Sequence, residues 1–324
     1  MRKARIADTG EIVIADDLLK FYPNYNEIIF VCIDEKCSVR MAPSCITKNS
    51  HRKPHFKKYR NQDHIDTCEY AILNNLYHKG KDQKLNKTEI NKVGYPSVFD
   101  LKDSNKEKVI SKAKIDSCDE GRTGQVNETS ILYEFDGENL KFDRSNKVQS
   151  IDRIVDWYLG FPHNRDVEIE IHNKKIPYRY FFKRIADYTD SVSLQKVQNE
   201  RIFYGRIMLS KVNQNVFNKD AEKVMFTLFG FKDKNEADNI INHYSVKIDK
   251  KSISRIMLSK LRNKYDAFFE KAFREFKNQS YDPNVGLYAF LYGTIDIEND
   301  TVLNVKQNHI TFRYDEVRKT VSDD

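Results

Sequence analysis

SISRIMLSKLRNKYDAFFEKAFREFKN, residues 252–278, reads as a long amphipathic helix with Ser252 placed to cap its first turn. Strand-like runs flank it on both sides. IFYGRIML (202–209), VMFTLFG (224–230) and HYSVKI (243–248) precede it; LYAFLYGTIDI (287–297) and TVLNVKQNHITFRY (301–314) follow. The last third is therefore β-β-β-α-β-β, and the chain as a whole belongs to the α+β class.

A helix between the third and fourth of five strands is the order of an OB-fold barrel, here over residues 200–316, and Gly205, Gly230 and Gly293 suit strongly coiled strands. An α+β sandwich gives the same string, so both architectures stay open. Phe203, Tyr204, Phe226, Phe229, Tyr288, Phe290, Tyr292, Phe312 and Tyr314 alternate between two strand faces. If Tyr204, Arg206, Tyr292 and Arg313 share the outer face, they form a surface on which single-stranded bases can stack.

Upstream, SIDRIVDWYLG (150–160) reads as a helix capped by Ser150, with Ile151, Ile154, Val155, Tyr158 and Leu159 on one apolar face and Gly160 and Pro162 ending it. VEIEI (167–171) and IPYRYFF (176–182) read as a β-hairpin around a polar turn containing Asn173. Residues 79–127 hold few apolar clusters and read as a linker or loosely packed excursion. This sets domains at 1–78, 79–127 and 128–324.

With 40% hydrophobic, 12% aromatic and 32% charged residues, the chain is neither disordered nor membrane-spanning in composition, and no run approaches the ~20 apolar residues a bilayer helix needs. A cytoplasmic location is expected, since five cysteines in 324 residues make no disulfide framework. Lys and Arg number 55 against 48 Asp and Glu, a formal charge of +7. The excess concentrates in HRKPHFKKYR (51–60) and in the run from His78 to Lys92.

The same neighbourhood carries a metal pattern. EIVI (11–14) and NEIIFVCI (26–33) are strand-like, and the second delivers Cys32, which with Cys37 forms a Cys-x4-Cys pair; His64 and Cys68 in DHIDTCEY form a second pair. The reading is a structural Zn2+ held by Cys32, Cys37, His64 and Cys68. His55 competes with His64 for its place and Cys45 with Cys37. After Cys68, EYAILNNLYH reads as a short helix with Ala71, Ile72, Leu76 and Tyr77 inward.

ARIADTGEIVIADD, FVCIDEKC and KPHFKKYRNQDHIDTCEY together resemble the N-terminal zinc-ribbon-like region of CoiA-like bacterial competence proteins, over roughly residues 4–70. The resemblance rests on Cys32, Cys37, Pro54, His55 and Phe56, and it implies a module that contacts DNA ahead of a restriction-nuclease-like domain. The histidine usual after the Pro-His-Phe step is replaced here by Lys57 and Lys58, which favours His64 with Cys68 as ligands.

Catalytic patterns are weak. Asp166, Glu168, Glu170 and Lys174 lack the spacing of a restriction-type metal site, and an HNH-like set of His64, Asn75 and His78 is too tightly spaced and competes with zinc for His64. No Walker A, Gly-rich dinucleotide, G-x-S-x-G or H-E-x-x-H motif is present. The expectation is a non-catalytic, zinc-containing nucleic-acid-binding protein, with DNA or RNA undecided, no membrane partner and the oligomeric state open. The expected contacts are Arg52, Lys53, Lys57, Lys58 and Arg60, interleaved with Phe56 and Tyr59, together with the outer barrel residues. A metal-dependent nuclease and a zinc-stabilised interaction scaffold are the alternatives.

Overall fold

The computed structural model describes residues 1, 3–21, 23–46, 54–101, 132–136, 139–143, 146–187, 200–214, 216–217, 222–232, 241–278, 285–296, 298–299 and 301–317. It has a mixed α+β architecture divided into two units, residues 1–95 with 128–146 and residues 96–127 with 147–324.

In the first unit, short apolar alternations make an antiparallel sheet of β1 (Lys3–Ile6), β2 (Ile12–Ile14), β3 (Phe30–Val31), β4 (Arg40–Ser44) and β5 (His55–Lys58), ordered β2-β1-β3-β4-β5. Gly10 takes a φ of 73° where the chain turns between β1 and β2, a conformation glycine adopts without steric cost. Ala4, Ile6, Val13, Phe30, Met41 and Phe56 build the buried side, joined by Leu18 from the 3-10 turn Ala15–Phe21. Helices α1 (Glu69–Asp82) and α2 (Lys87–Val93) follow. α1 runs past the expected end and buries Leu73, Tyr77 and Gly80, the i, i+4, i+7 stripe of one helix face. Part of the stretch read as linker is thus helical. A capping box starts α2: the Asn86 side chain accepts from Glu89 N (3.0 Å) while the Glu89 carboxylate accepts from Asn86 N (2.9 Å). The stretch 102–131 lies outside the described residues.

β6 (Val98–Phe99) belongs to the second unit, the hairpin of β7 (Leu132–Asp136) and β8 (Asn139–Asp143) to the first, and everything from β9 (Lys147–Val148) onward to the second. There α3 (Ile151–Gly160) begins at Ser150, whose hydroxyl accepts from Asp152 N at 3.2 Å, as its position anticipates. Asp156 and Trp157 are buried along with Ile151, Ile154, Val155 and Tyr158, while Leu159 is only half-buried, so most of the helix is enclosed. β10 (Glu168–Ile171) and β11 (Lys174–Pro177) form the expected hairpin. Its two-residue turn, His172 and Asn173 at φ 49° and 61°, has the positive angles of a type I′ connection. Instead of continuing as strand, Tyr178–Phe181 is a single helical turn, α4, followed by β12 (Phe182–Arg184). Pro177 removes a ladder donor and opens that turn, which buries Tyr178 and Phe181 three residues apart.

The last strands are β13 (Arg201–Arg206), β14 (Lys223–Lys232), β15 (Ile241–Asp249), β16 (Val285–Ile295) and β17 (Val302–Glu316), with α5 (Arg255–Lys277) between β15 and β16. The cap of α5 is Ser254, which accepts from Met257 N at 3.3 Å, and not Ser252, which lies in a preceding 3-10 turn. The sheet order is β12-β13-β16-β17-β15-β14, with β15 and β17 parallel. The anticipated barrel is not closed: β12 occupies the β13 edge at residues 202–204, and among the described residues β14 reaches β13's continuation through the Ile207–Leu228 bridge and a Met208 N to Thr227 O bond of 3.1 Å. One sheet face packs on Leu261, Tyr265, Phe269 and Ala272 of α5, again at helical spacing, with Tyr265 and Phe312 rings 5.0 Å apart.

Candidate metal centre

Cys32 directly follows β3 and Cys37 closes the turn after it. The turn is fixed by backbone bonds from Cys32 N to Val39 O (2.8 Å) and Cys37 N to Asp34 O (3.0 Å), and by Ser38 at φ 44°. Cys68 is the N-cap residue of α1, so its sulfur sits where the first helical N–H groups have no intrahelical partner. Asp34 joins the two halves. One carboxylate oxygen accepts from Lys36 N (3.0 Å), tightening the turn, and the other accepts from Glu69 N (3.2 Å), satisfying the helix start.

Four side chains converge there. Cys32 Sγ lies 3.7 Å from Cys68 Sγ, and His64 Nδ1 lies 3.2 Å from Cys37 Sγ and 3.6 Å from Cys68 Sγ. All four donor atoms fall within 4.8 Å of one another. The sulfurs are free thiols, and 3.7 Å is far beyond the ~2.05 Å of a disulfide. The cluster is enclosed by the first unit's core, Cys32 and Cys68 being fully buried.

Burial holds Cys32, Cys68 and His64 in their neutral forms. Burial raises the Cys32 thiol, against the pull of the Asp34 N–H, and burial raises Cys68, against the N–H groups of Ala71 and Tyr70. Burial, then the Lys58 charge, lowers His64, which keeps its imidazole in the neutral, ligating form. Three thiols, two of them facing backbone N–H donors, and one neutral imidazole are a donor set for a metal ion, whose charge would offset the cost of ionising the buried sulfurs.

His64, not His55, joins the cluster. His55 is buried on β5, and Cys45, at φ 60°, sits beside Ser44 Oγ (3.9 Å) outside the group. Asp34 was missed by sequence reading; an Asp two residues after a ligand, able to close its own turn, was the available signal.

The expected nucleic-acid residues scatter. Arg52 and Lys53 lie outside the described residues, while Lys57, Tyr59 and Arg60 are exposed and Lys58 is ion-paired with Asp63. Phe56 is in the core. The outer aromatic surface does not form: α3, α4 and the Phe182 ring of β12 pack over that side of the sheet, and Tyr204 stacks on Phe290 at 5.1 Å while its hydroxyl meets that of Tyr158 at 3.1 Å. Tyr292 is 1% exposed, with its hydroxyl bonded to Glu200. Arg313 is buried on Asp156 (2.8 Å) and Asp152 (2.9 Å), and Arg206 is half-buried, donating to Val285 O at 3.0 Å. These residues are packing and pairing groups because both faces of the sheet are covered.

Among the described residues the acidic hairpin gathers no further metal group: Asp166 pairs with Arg179 at 2.9 Å. Asn75 and His78 lie exposed on α1, apart from the donors that surround His64. No described helix is long and apolar enough to cross a membrane. No family model matches the chain, and no curated protein or solved structure matches it.

Proposed function

We propose that the chain is a nucleic-acid-binding protein without a catalytic centre of its own, whose first unit is held together by structural zinc. The observation that carries the zinc assignment is the set of donor separations. Tetrahedral Zn2+ with Zn–S of about 2.3 Å and Zn–N of about 2.05 Å requires S–S edges of roughly 3.8 Å and S–N edges of roughly 3.6 Å. Three of the six separations, 3.7, 3.6 and 3.2 Å, lie at or slightly inside those edges, and all six fall within 4.8 Å. Four protein donors leave no position open for water or substrate, the mark of a structural and not a catalytic zinc.

The nucleic-acid reading draws on the exposed Lys57, Tyr59 and Arg60 beside this module, on the net charge of +7, and on the resemblance to the CoiA-like N-terminal region. In the second unit, the order first-fourth-fifth-third-second, with the third and fifth strands parallel and a helix between the third and fourth, supports an OB-like derivation opened by β12. Its aromatic surface being packed, the first unit is the better contact region.

The test is binding of labelled single-stranded and duplex oligonucleotides to the zinc-loaded full chain at two salt concentrations with Mg2+ present. Intact oligonucleotide and affinity that falls steeply with salt support the proposal. Fragmentation, or no binding at either salt, overturns it.

A further inference from the structure

The two sides of α5 differ sharply in chemistry. At about 100° of rotation per residue, Leu261, Tyr265, Phe269 and Ala272 fall in a sector roughly 80° wide, the one that packs on the sheet. Arg255, Lys260, Lys271, Arg274 and Lys277 are all exposed and fall in a sector roughly 160° wide, centred on the opposite side. Arg262 shares that side but is paired with Asp266 at 3.4 Å. Residues 255–277 hold seven Lys and Arg against three Asp and Glu, so this one helix carries a net +4 in a chain whose total is +7.

Helix stability does not account for these cations. Among the described residues no carboxylate pairs with any of the five, and Lys271 and Lys277 lie over the Tyr314 and Phe273 rings at 4.8 and 4.7 Å. Arg274 and Lys277 suit the negative end of the helix dipole, but Arg255 sits at the positive end, in a first turn that carries no acid. Nor is the face apolar. Ile256 and Phe276, 72% and 55% exposed, stand about 30 Å apart along the axis, too far to form one patch. Ser259, Asn263, Ala267 and Glu270 occupy the exposed side between the cations. A helix lying on a membrane presents its apolar stripe to the lipid, and that of α5 is packed on the sheet.

We propose that the outer side of α5 is a contact surface for the phosphate backbone of nucleic acid, an inference that rests on the nucleic-acid reading above and adds a surface on the second unit to the one on the first. The 23 residues of α5 make a ridge about 34 Å long, and a nucleic-acid strand is a linear polyanion, so cations spread along the ridge neutralise several phosphates at once. Contact of this kind supplies affinity and steep salt dependence but no choice of base sequence.

The experiment is fluorescence anisotropy of the zinc-loaded full chain across a salt series, with whichever binds more tightly of a labelled 20-base-pair duplex and a single strand of equal length. K271Q/R274Q/K277Q should flatten the slope of log K against log salt by about 2 to 2.7, at about 0.7 (single strand) to 0.9 (duplex) for each phosphate no longer neutralised. R255Q/K260Q, at the other end of the helix, should flatten it by about 1.4 to 1.8. Both variants alter exposed side chains and should keep the wild-type urea transition of the second unit. K174Q/K175Q removes two exposed charges from the β10–β11 hairpin and should leave the slope unchanged. Wild-type binding with an unchanged slope in both helix variants, or an equal flattening per charge in K174Q/K175Q, overturns the surface and leaves the nucleic-acid reading standing. Failure of the wild type to bind either oligonucleotide overturns both, whether or not the chain cosediments with phosphatidylserine vesicles.

Discussion

Replacing Arg313 with methionine tests whether this arginine is a structural ion-pair partner or a ligand-binding residue. The guanidinium donates to Asp156 Oδ1 (2.8 Å), Asp152 Oδ1 (2.9 Å), Asp152 O (3.1 Å), Thr311 Oγ1 (2.5 Å) and Phe312 O (2.8 Å), tying β17 to α3. Lys264 of α5 completes the group at 3.0 Å from Asp152. Burial raises the Asp156 carboxyl, with the Arg313 charge working against it. Burial also acts to raise Asp152, but Lys264 and Arg313 together hold it well below the usual carboxylate range. The R313M side chain keeps the stem's volume but leaves Asp156, 6% exposed, without its counter-charge, and breaking a buried pair in this way costs about 3–5 kcal/mol. Removing both charges, as in D156L/R313M, should recover most of that loss, because two apolar groups replace a desolvated pair. Trp157, the only tryptophan, lies buried on α3 next to Asp156, so its fluorescence in urea reports unfolding of the second unit. A loss below about 1 kcal/mol for R313M would refute the buried-pair reasoning, and so would an intact stability accompanied by weakened oligonucleotide binding.

Three further outcomes are expected. D34A removes both the turn's side-chain acceptor and the acceptor for Glu69 N, and should lower zinc affinity about 10–100-fold in competition with a chromophoric chelator, without abolishing binding. G293A drives a Cβ into the Asn304 carbonyl oxygen at the β16 bulge, a backbone clash that should destabilise the second unit by about 1–3 kcal/mol in the urea transition. His309, set against the Phe99 and Tyr292 rings, is lowered by burial to about 4. The unfolded chain takes up that proton near pH 6.5 and the folded chain does not until about 4, so stability falls as pH drops through that window by at most about 3 kcal/mol. H309Q should flatten that stretch of the stability-against-pH curve.

The sequence disclosed features whose cause is local. The cysteine spacings, the Ser150 cap, the His172-Asn173 turn and the strand-helix order of the last third follow from turn chemistry, capping and periodicity. Long-range effects escaped it. β6 and β9 are two-residue strands that exist only because each pairs across the chain, Val98 with Lys147 and with Glu170. The outer face of the second unit's sheet was read as open to solvent because alternation shows which residues share a face but not what covers it. Tyr204, Tyr292 and Arg313 were misplaced for that reason. Ser252 and Ser254 both suit an N-cap, and the choice went to Ser254 because Asp249 caps a separate turn by accepting from Lys251 N at 2.9 Å.

The central claim, one zinc ion on Cys32, Cys37, His64 and Cys68, is tested most directly by metal analysis of the purified full chain with X-ray absorption at the zinc edge. One zinc per chain is expected, with about three sulfurs at ~2.3 Å and one nitrogen at ~2.0 Å, and C37S should lose the zinc and unfold the first unit while the second unit stays folded. A chain that takes up no metal when zinc is supplied, or that binds it through oxygen and nitrogen alone, contradicts the claim.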